Sequence, residues 1–201
     1  MAIATAANVR DYIGALTGTG EDTLLNSLIL RFDRVGSAYC GFPTASNLST
    51  FENNTYTHYF DGDGSDRLQL RVVPANTITS IHVDVDRLYT SSTLVDSGDY
   101  VLDSELGLVI LETTSTQGRF DVGYRSTKVV YTAGFTSIPD AIVHACGLQV
   151  NHWYMNRDTI GKSNISQGGS TIQVKSLSLL PEVKEALGPY RLGGEIGGWI
   201  G

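Results

Sequence analysis

The hydrophobic period of this chain changes twice, and that double change limits the folds open to it more than any other feature. Leu24, Leu25, Leu28, Ile29, Phe32 and Val35 recur at spacings of three and four, with Arg31, Asp33 and Arg34 between them. That is the pattern of an amphipathic helix. From Thr55 alternation takes over, in Thr55–Phe60, Arg67–Val73, Ile78–Val85, Tyr100–Leu102, Leu108–Leu111 and Lys128–Tyr131. The runs between them carry the Gly, Asp, Asn and Pro that tight turns require, so six short antiparallel strands are predicted. After Ser137-Ile-Pro-Asp140 the period becomes helical again through about Arg157. Strands gathered between helices, not alternating with them, specify an α+β fold.

The ends of these elements are marked. Asp22 or Thr23 can cap the first long helix, and Gly41-Phe42-Pro43 should stop it. A shorter apolar set, Val9, Tyr12, Ile13 and Leu16, precedes it and is cut off at Gly18-Thr19-Gly20. The Ser-x-x-Asp pattern at 137–140, with Pro139 in the first turn, announces the second long helix. Its stripe of Ile142, Val143, Cys146, Val150, Trp153 and Tyr154 leaves Leu148 and Met155 on other faces. A helix apolar on several sides is the centre of its domain or a subunit contact. Lys162–Thr171 reads as a mobile polar loop, and Pro181–Leu187 as a two-turn helix stopped by Gly188-Pro189. So short a helix must dock to persist. The last residues, Pro189–Gly201, read as a flexible arm tipped by Ile196, Trp199 and Ile200.

With 201 residues, 41% hydrophobic and 17% charged, the chain can bury a proper core. Two cysteines, Cys40 and Cys146, without a Cys-x-x-Cys spacing, support neither a disulfide scaffold nor a zinc ribbon. Met1–Arg10 lacks the basic start and apolar run of a signal peptide, and no long apolar stretch occurs, so neither export by that route nor a membrane span is expected. The net charge is −7, and residues 47–133 hold six basic against twelve acidic groups, a local balance of −6. Such a segment does not grip a phosphate backbone, because that affinity rests on clustered Lys and Arg.

Catalytic and metal-binding patterns fail one by one. Gly161-Lys162-Ser163 lacks the first glycine of a P-loop, since position 156 is Asn, and it follows a helix where a strand is needed. Asp61, Asp63, Ser65 and Asp66 open like a calcium loop but have Asp66 and Val72 where an EF-hand needs Gly and Glu, and read as a hairpin turn. His144, Cys146 and His152 point different ways around one helix. His58 and His82 have no local partner pattern, no serine elbow exists, and Asp84 and Asp86 on one strand face are a pair that twelve acids supply by chance. No cofactor, metal or catalytic residue is expected. The Asn-x-Ser/Thr matches at Asn47, Asn53 and Asn164 matter only in a secreted chain.

The order of parts carries the strongest signal: amphipathic helix, β insertion, Val-Val-Tyr-Thr-Ala-Gly-Phe135, Ile138-Pro-Asp-Ala-Ile-Val-His-Ala-Cys146 running into Asn151–Arg157, a polar loop, then Leu180-Pro-Glu-Val-Lys-Glu-Ala-Leu-Gly-Pro-Tyr-Arg191. Over nearly the whole chain this resembles the head-to-tail connector (adaptor) proteins of tailed bacteriophages and their gene-transfer-agent relatives, the larger members with a β insertion. The resemblance implies a non-enzymatic virion protein of the neck, made in the host cytoplasm. It implies a ring, usually of twelve copies, below the portal, through which genomic DNA passes without sequence-specific binding. A further neck or tail protein docks on the other side, and no membrane is involved.

By residue, the resemblance puts Pro181, Val183, Leu187, Pro189, Tyr190 and Arg191 at or near the portal contact, and the arm adds Ile196, Trp199 and Ile200 as an anchor. That arm is inferred from the residues themselves. Leu28, Phe32, Ile142, Cys146, Trp153 and Tyr154 are candidates for the subunit interface or the core. The organisation expected is a small helical bundle, with helices in 1–46 and 134–188, an inserted antiparallel β subdomain at 47–133, and the extended arm at 189–201. Rival readings are a stopper or tail-completion protein of the same neck, a hydrolase, and a non-viral acidic α+β domain that binds glycan through Tyr56, Tyr59 and Tyr89.

Overall fold

A computed structural model describes residues 3–14, 16, 18–44, 50–112, 116–157, 164–167, 170–173 and 178–192. The fold is α+β, in two compact units: residues 1–51 with 138–201, and residues 52–137.

The first unit holds α1 (Ala6–Arg10), α2 (Asp22–Tyr39), α3 (Asp140–Met155) and α4 (Pro181–Leu187). Thr5 opens α1 with a capping box, its hydroxyl accepting the Asn8 N–H at 3.2 Å while Asn8 Oδ1 accepts the Thr5 N–H at 3.0 Å. The cap expected for α2 is not used: Glu21 precedes the helix without a side-chain bond, and Asp22 instead meets Arg10 at 3.1 Å. Pro139 occupies the N-cap of α3, and Ser137 makes no cap bond. Helix α3 is the centre of the unit and touches α1, α2 and α4. Its residues Ile142, Ala145, Cys146, Val150, Trp153 and Tyr154 are buried, opposite Leu25, Ile29 and Phe32 of α2. Truncating Phe32 or Ile142 to alanine would cost about 2–5 kcal/mol. Gly147 lets α1 approach, because a Cβ there would lie 2.5 Å from the Tyr12 ring.

Two sequence expectations change in this unit. The polar stretch expected to be a loop contains β7 (Asn164–Gln167) and β8 (Ser170–Gln173), paired antiparallel with Ile165 opposite Ile172. Each strand holds a single isoleucine among polar residues, and the sequence has Gly168-Gly169 between them, a dipeptide favoured in two-residue hairpin connections. Gly188-Pro189 does not end the helical path at once either. A 3-10 turn, Gly188–Tyr190, carries it on before Arg191 turns extended.

The second unit holds the six expected strands: β1 (Asn54–Gly62), β2 (Arg67–Gln69), β3 (Ala75–Val83), β4 (Tyr100–Asp103), β5 (Leu108–Leu111) and β6 (Gly123–Ala133). They form two three-stranded antiparallel sheets, in the orders β1-β6-β3 and β2-β5-β4. Tyr56, Ile81, Val109, Leu111, Phe120, Val129 and Tyr131 fill the core. Along β6 the buried residues Val129, Tyr131 and Ala133 alternate with half-buried Lys128, Val130 and Thr132. Strand β2 stops well before Val73 for a specific reason. Its partner β5 begins only at Leu108, opposite Gln69; past the Leu70 N–H bond to the Gly107 carbonyl at 2.8 Å the facing residues 104–107 are a turn, and the Val72 N–H donates to the Tyr131 hydroxyl at 3.2 Å instead. Gly62 sits at the irregularity between β1 and β6, where a Cβ would lie 1.9 Å from the Asp121 carbonyl oxygen. The chain enters and leaves the unit side by side, with the Asn53 N–H donating to the Phe135 carbonyl at 3.1 Å.

Candidate interaction surfaces

In the helical unit the region expected to make an external contact is firmly tied to its own chain. Leu180 donates its N–H to Gln149 Oε1 at 2.8 Å, and Gln149 Nε2 donates to the Ser178 carbonyl at 3.3 Å. Gln149 is fully buried in α3, so its amide fixes the entry of α4 from below. Pro181 occupies the first helical turn, where its missing N–H costs nothing. Val183 and Leu187 are completely buried, so their side chains fasten α4 and have no surface to offer a partner. The outward side of α4 consists of Pro181, Glu182, Lys184 and Glu185, with Pro189 and Arg191 exposed beyond it. The Leu192 N–H donates to the Cys40 carbonyl at 2.6 Å, and the Arg191 guanidinium lies 5.3 Å from the Tyr39 ring centre. Residues following α4 are thereby held against the end of α2, with Tyr190 half-buried on that path. Ile196, Trp199 and Ile200 lie outside the described residues.

The candidates for subunit interface or core separate by burial. Phe32, Ile142 and Cys146 are wholly inside the unit, and Trp153 and Tyr154 nearly so. The Arg31 guanidinium covers the Trp153 ring at 4.6 Å, and Arg157 covers Tyr154 at 4.1 Å. Leu28 is half-buried. The apolar groups that α2 and α3 leave to solvent are others: Leu24, Leu30 and Val35, and Met155.

Among the described residues of the helical unit, the histidines and cysteines are engaged in packing and local hydrogen bonds. His144 Nδ1 meets the Tyr12 hydroxyl at 2.9 Å, while His152 Nδ1 meets Asn156 Nδ2 at 3.2 Å. Burial pushes the Cys146 thiol up to about 12 and the Cys40 thiol up to about 11, which suppresses the nucleophilic thiolate. Among the described residues no three His, Cys, Asp or Glu side chains converge as a metal site.

The β unit disposes of the remaining sequence candidates and adds one that sequence reasoning missed. Asp63 Oδ1 accepts the Ser65 N–H at 2.9 Å and the Ser65 hydroxyl at 2.6 Å, which closes a turn and holds the carboxyl below its ordinary value. Asp84 is no half of an acid pair with Asp86. Burial would raise its pKa, but the N–H groups of Tyr89, Asp86 and Leu88 donate to it and leave it lowered. Tyr56 is buried and presents nothing to a ligand.

Tyr59 and Tyr89, by contrast, belong to a surface cluster. Their ring centres are 5.5 Å apart, Arg125 lies 4.2 Å over Tyr59, and Lys128 lies 5.6 Å over Tyr89. Tyr89 donates its hydroxyl to the Arg125 carbonyl at 2.5 Å, and the Arg125 N–H donates to Asp61 Oδ1 at 2.7 Å. Both residues adopt positive φ, 48° and 51°, which these bonds hold in place. Beside them opens a recess of about 410 Å³ lined by His58, Tyr59, Phe60, Arg71, Tyr124 and Arg125 among others. Arg71 donates to the Tyr59 carbonyl at 3.2 Å and lies 5.3 Å from the Phe60 ring. The alternation that located the strands carries no signal for this cluster, because its members come from β1, the turn after β2, the turn after β3, and β6.

The model of the family described as "Head completion protein" matches residues 2–192 of the chain. No curated protein matches it significantly. Among solved structures, a chain in "Neck of empty GTA particle computed with C6 symmetry" aligns with a TM-score of 0.58 and 17% identity, over 96% of this chain and 91% of that one. A chain of the "Virion of native gene transfer agent (GTA) particle" aligns at 0.55 and 18%, with the same coverage. One in "Neck of native GTA particle computed with C12 symmetry" aligns at 0.55 and 16%, covering 96% of this chain and 92% of that one.

Proposed function

The chain belongs to the head completion protein family, and from that premise we propose that it is the head-to-tail adaptor of a tailed particle, a ring below the portal. Membership bears out the resemblance to phage connector proteins carried by the Tyr-Thr-Ala-Gly-Phe135 and Leu180–Arg191 segments, and it makes the protein a structural component of the virion neck. The finer role rests on one observation above others. The fold is shared across almost the full length of both chains with a protein of a neck computed with C12 symmetry. Twelve copies, the portal as partner on one side and a further neck or tail protein on the other are the arrangement we infer.

The chain's own chemistry supports this reading. Helix α4 and the turn after it are braced by Gln149, Cys40 and Tyr39, so Pro189 and Arg191 are presented from a rigid base. The β unit, with twice as many acids as bases, gives DNA in transit no strong hold. The solution mass of the purified chain, measured by light scattering alone and with the cognate portal, tests the proposal. A ring, or recruitment to the portal that fails when residues 193–201 are removed, is the expected result. That truncation spares the Leu192 bond to Cys40. A monomer that ignores the portal overturns the adaptor role.

A further inference from the structure

On the reading of the protein as a ring, we propose that the β unit makes a directional contact between neighbouring copies, in which the Arg71–Arg125 recess of one, with Lys128 on the Tyr89 ring beside it, receives the acidic β4 edge of the next. The unit has six basic side chains, and three of them gather here with Tyr59 and Tyr89 between them. None of the three pairs with a carboxylate among the described residues, although the unit has twelve acids. Arginine and tyrosine with a hydrophobic floor is the composition of an interface centre. Tyr124, 68% exposed, stands at its rim.

The complement is on the same unit. From Arg87 to Arg119 the sequence has no Lys or Arg between, but it has Asp96, Asp99, Asp103, Glu105 and Glu112. Asp96, Asp103 and Glu105 are exposed around β4, together with Val101 at 53% and Leu106 at 57%. Strand β4 is a sheet edge, with one side of its backbone open to pairing.

Topology places the two features apart. The recess opens where edge strand β1 runs beside the end of edge strand β2, bridged by the Arg71 bond to Tyr59. At the opposite edges of the same two sheets, β3 and β4 are joined by the Ala75 N–H donating to the Ser104 carbonyl at 2.9 Å. Complementary surfaces on opposite edges cannot satisfy each other within one chain. Between chains they give a head-to-tail contact, which closes into a ring when the rotation per copy permits. A duplex phosphate backbone is the lesser fit, since a cluster of only three cations releases few counterions and the unit as a whole carries twelve acids against six bases.

The test uses the full-length chain. Zero-length carbodiimide coupling of a mixture of isotopically labelled and unlabelled wild-type protein should join Lys128 of one copy to Asp99, Asp103 or Glu105 of another. In parallel, Arg71→Glu/Arg125→Glu and Asp99→Lys/Asp103→Lys are each expected to lose assembly at least tenfold, and their equimolar mixture, in which every recess meets an edge of opposite charge, to recover it. Asp99→Asn/Asp103→Asn/Glu105→Gln mixed with Arg71→Glu/Arg125→Glu keeps one intact recess and one intact edge, and should stop at a dimer. A wild-type ring with no such cross-link and variants that assemble normally overturns this contact and leaves the ring standing. Cross-linked open oligomers keep the contact and overturn the ring. A chain that is monomeric and uncoupled, alone and with the portal, overturns both.

Discussion

Leu180 donates its backbone N–H to Oε1 of Gln149 at 2.8 Å, across 31 residues of sequence. Because Gln149 is fully buried, this amide replaces a conventional side-chain cap at the start of α4. Gln149→Leu keeps the volume but leaves the Leu180 N–H without its partner, at a cost of about 1–3 kcal/mol. Urea unfolding followed by circular dichroism should show the loss. Proteolysis should also reach α4 sooner in the variant, and an unchanged digestion pattern would contradict the capping role.

Gly147 and Tyr12 form the second tight relationship. Gly147→Ala places a methyl group 2.5 Å from the Tyr12 ring, and overpacking of this kind costs about 1–3 kcal/mol. Tyr12→Ala in the same chain should recover part of that loss, a coupling that a double-mutant cycle in thermal unfolding would measure. Additive effects would mean that α1 simply moves aside.

The β unit should be sensitive to pH at both ends of the scale. The Val72 N–H can only donate, so the Tyr131 oxygen accepts it and the phenol proton is free for His58 Nδ1, 2.9 Å away. Burial and the Arg71 charge hold His58 below its ordinary 6.5, so the unfolded chain takes up that proton first. Stability therefore falls as pH drops below about 6.5 and levels off once native His58 protonates. Tyr131 is pushed up to about 12 by burial, so the unfolded chain ionises first and stability falls again between about 10 and 12. Tyr131→Phe should shrink the alkaline limb, to which the raised Tyr89, Tyr100, Cys40 and Cys146 groups also contribute, and His58→Gln should remove the fall just below pH 6.5, in midpoints of urea unfolding across pH.

Cys40 and Cys146 are both buried with raised thiol pKa values of about 11 and about 12. A chromogenic disulfide reagent at neutral pH should therefore label neither in the native protein and both in denaturant. Rapid labelling of Cys40 alone would show that the segment around Arg191 and Leu192 opens readily from the end of α2.

Six of the eight strands and the four α-helices of the described residues follow from local period and turn chemistry, because apolar spacing and Gly or Pro act within a few residues. The exception among elements is the β7–β8 pair, whose short polar strands have no run of β-branched residues to announce them. Strand β2 is shorter than its alternation implies because its partner β5, far away in sequence, begins only at Leu108, opposite Gln69. The same reason hides the recess. His58, Arg71, Tyr89 and Arg125 become neighbours only when two sheets fold against each other, and no window of sequence holds them together. The burial of Val183 and Leu187 was legible as a helix that needs a dock. What it docks onto, α3 through Gln149, was not.

The Asn53–Phe135 bond has an evolutionary corollary. Since the strand unit begins and ends at a single backbone hydrogen bond of 3.1 Å, the helices on either side in sequence are joined by what amounts to a closed clasp. Everything between residues 53 and 135 can lengthen, shorten or change its surface while the ends stay the same distance apart. Such a cassette can change its surface over generations without altering the chain that leads into and out of it.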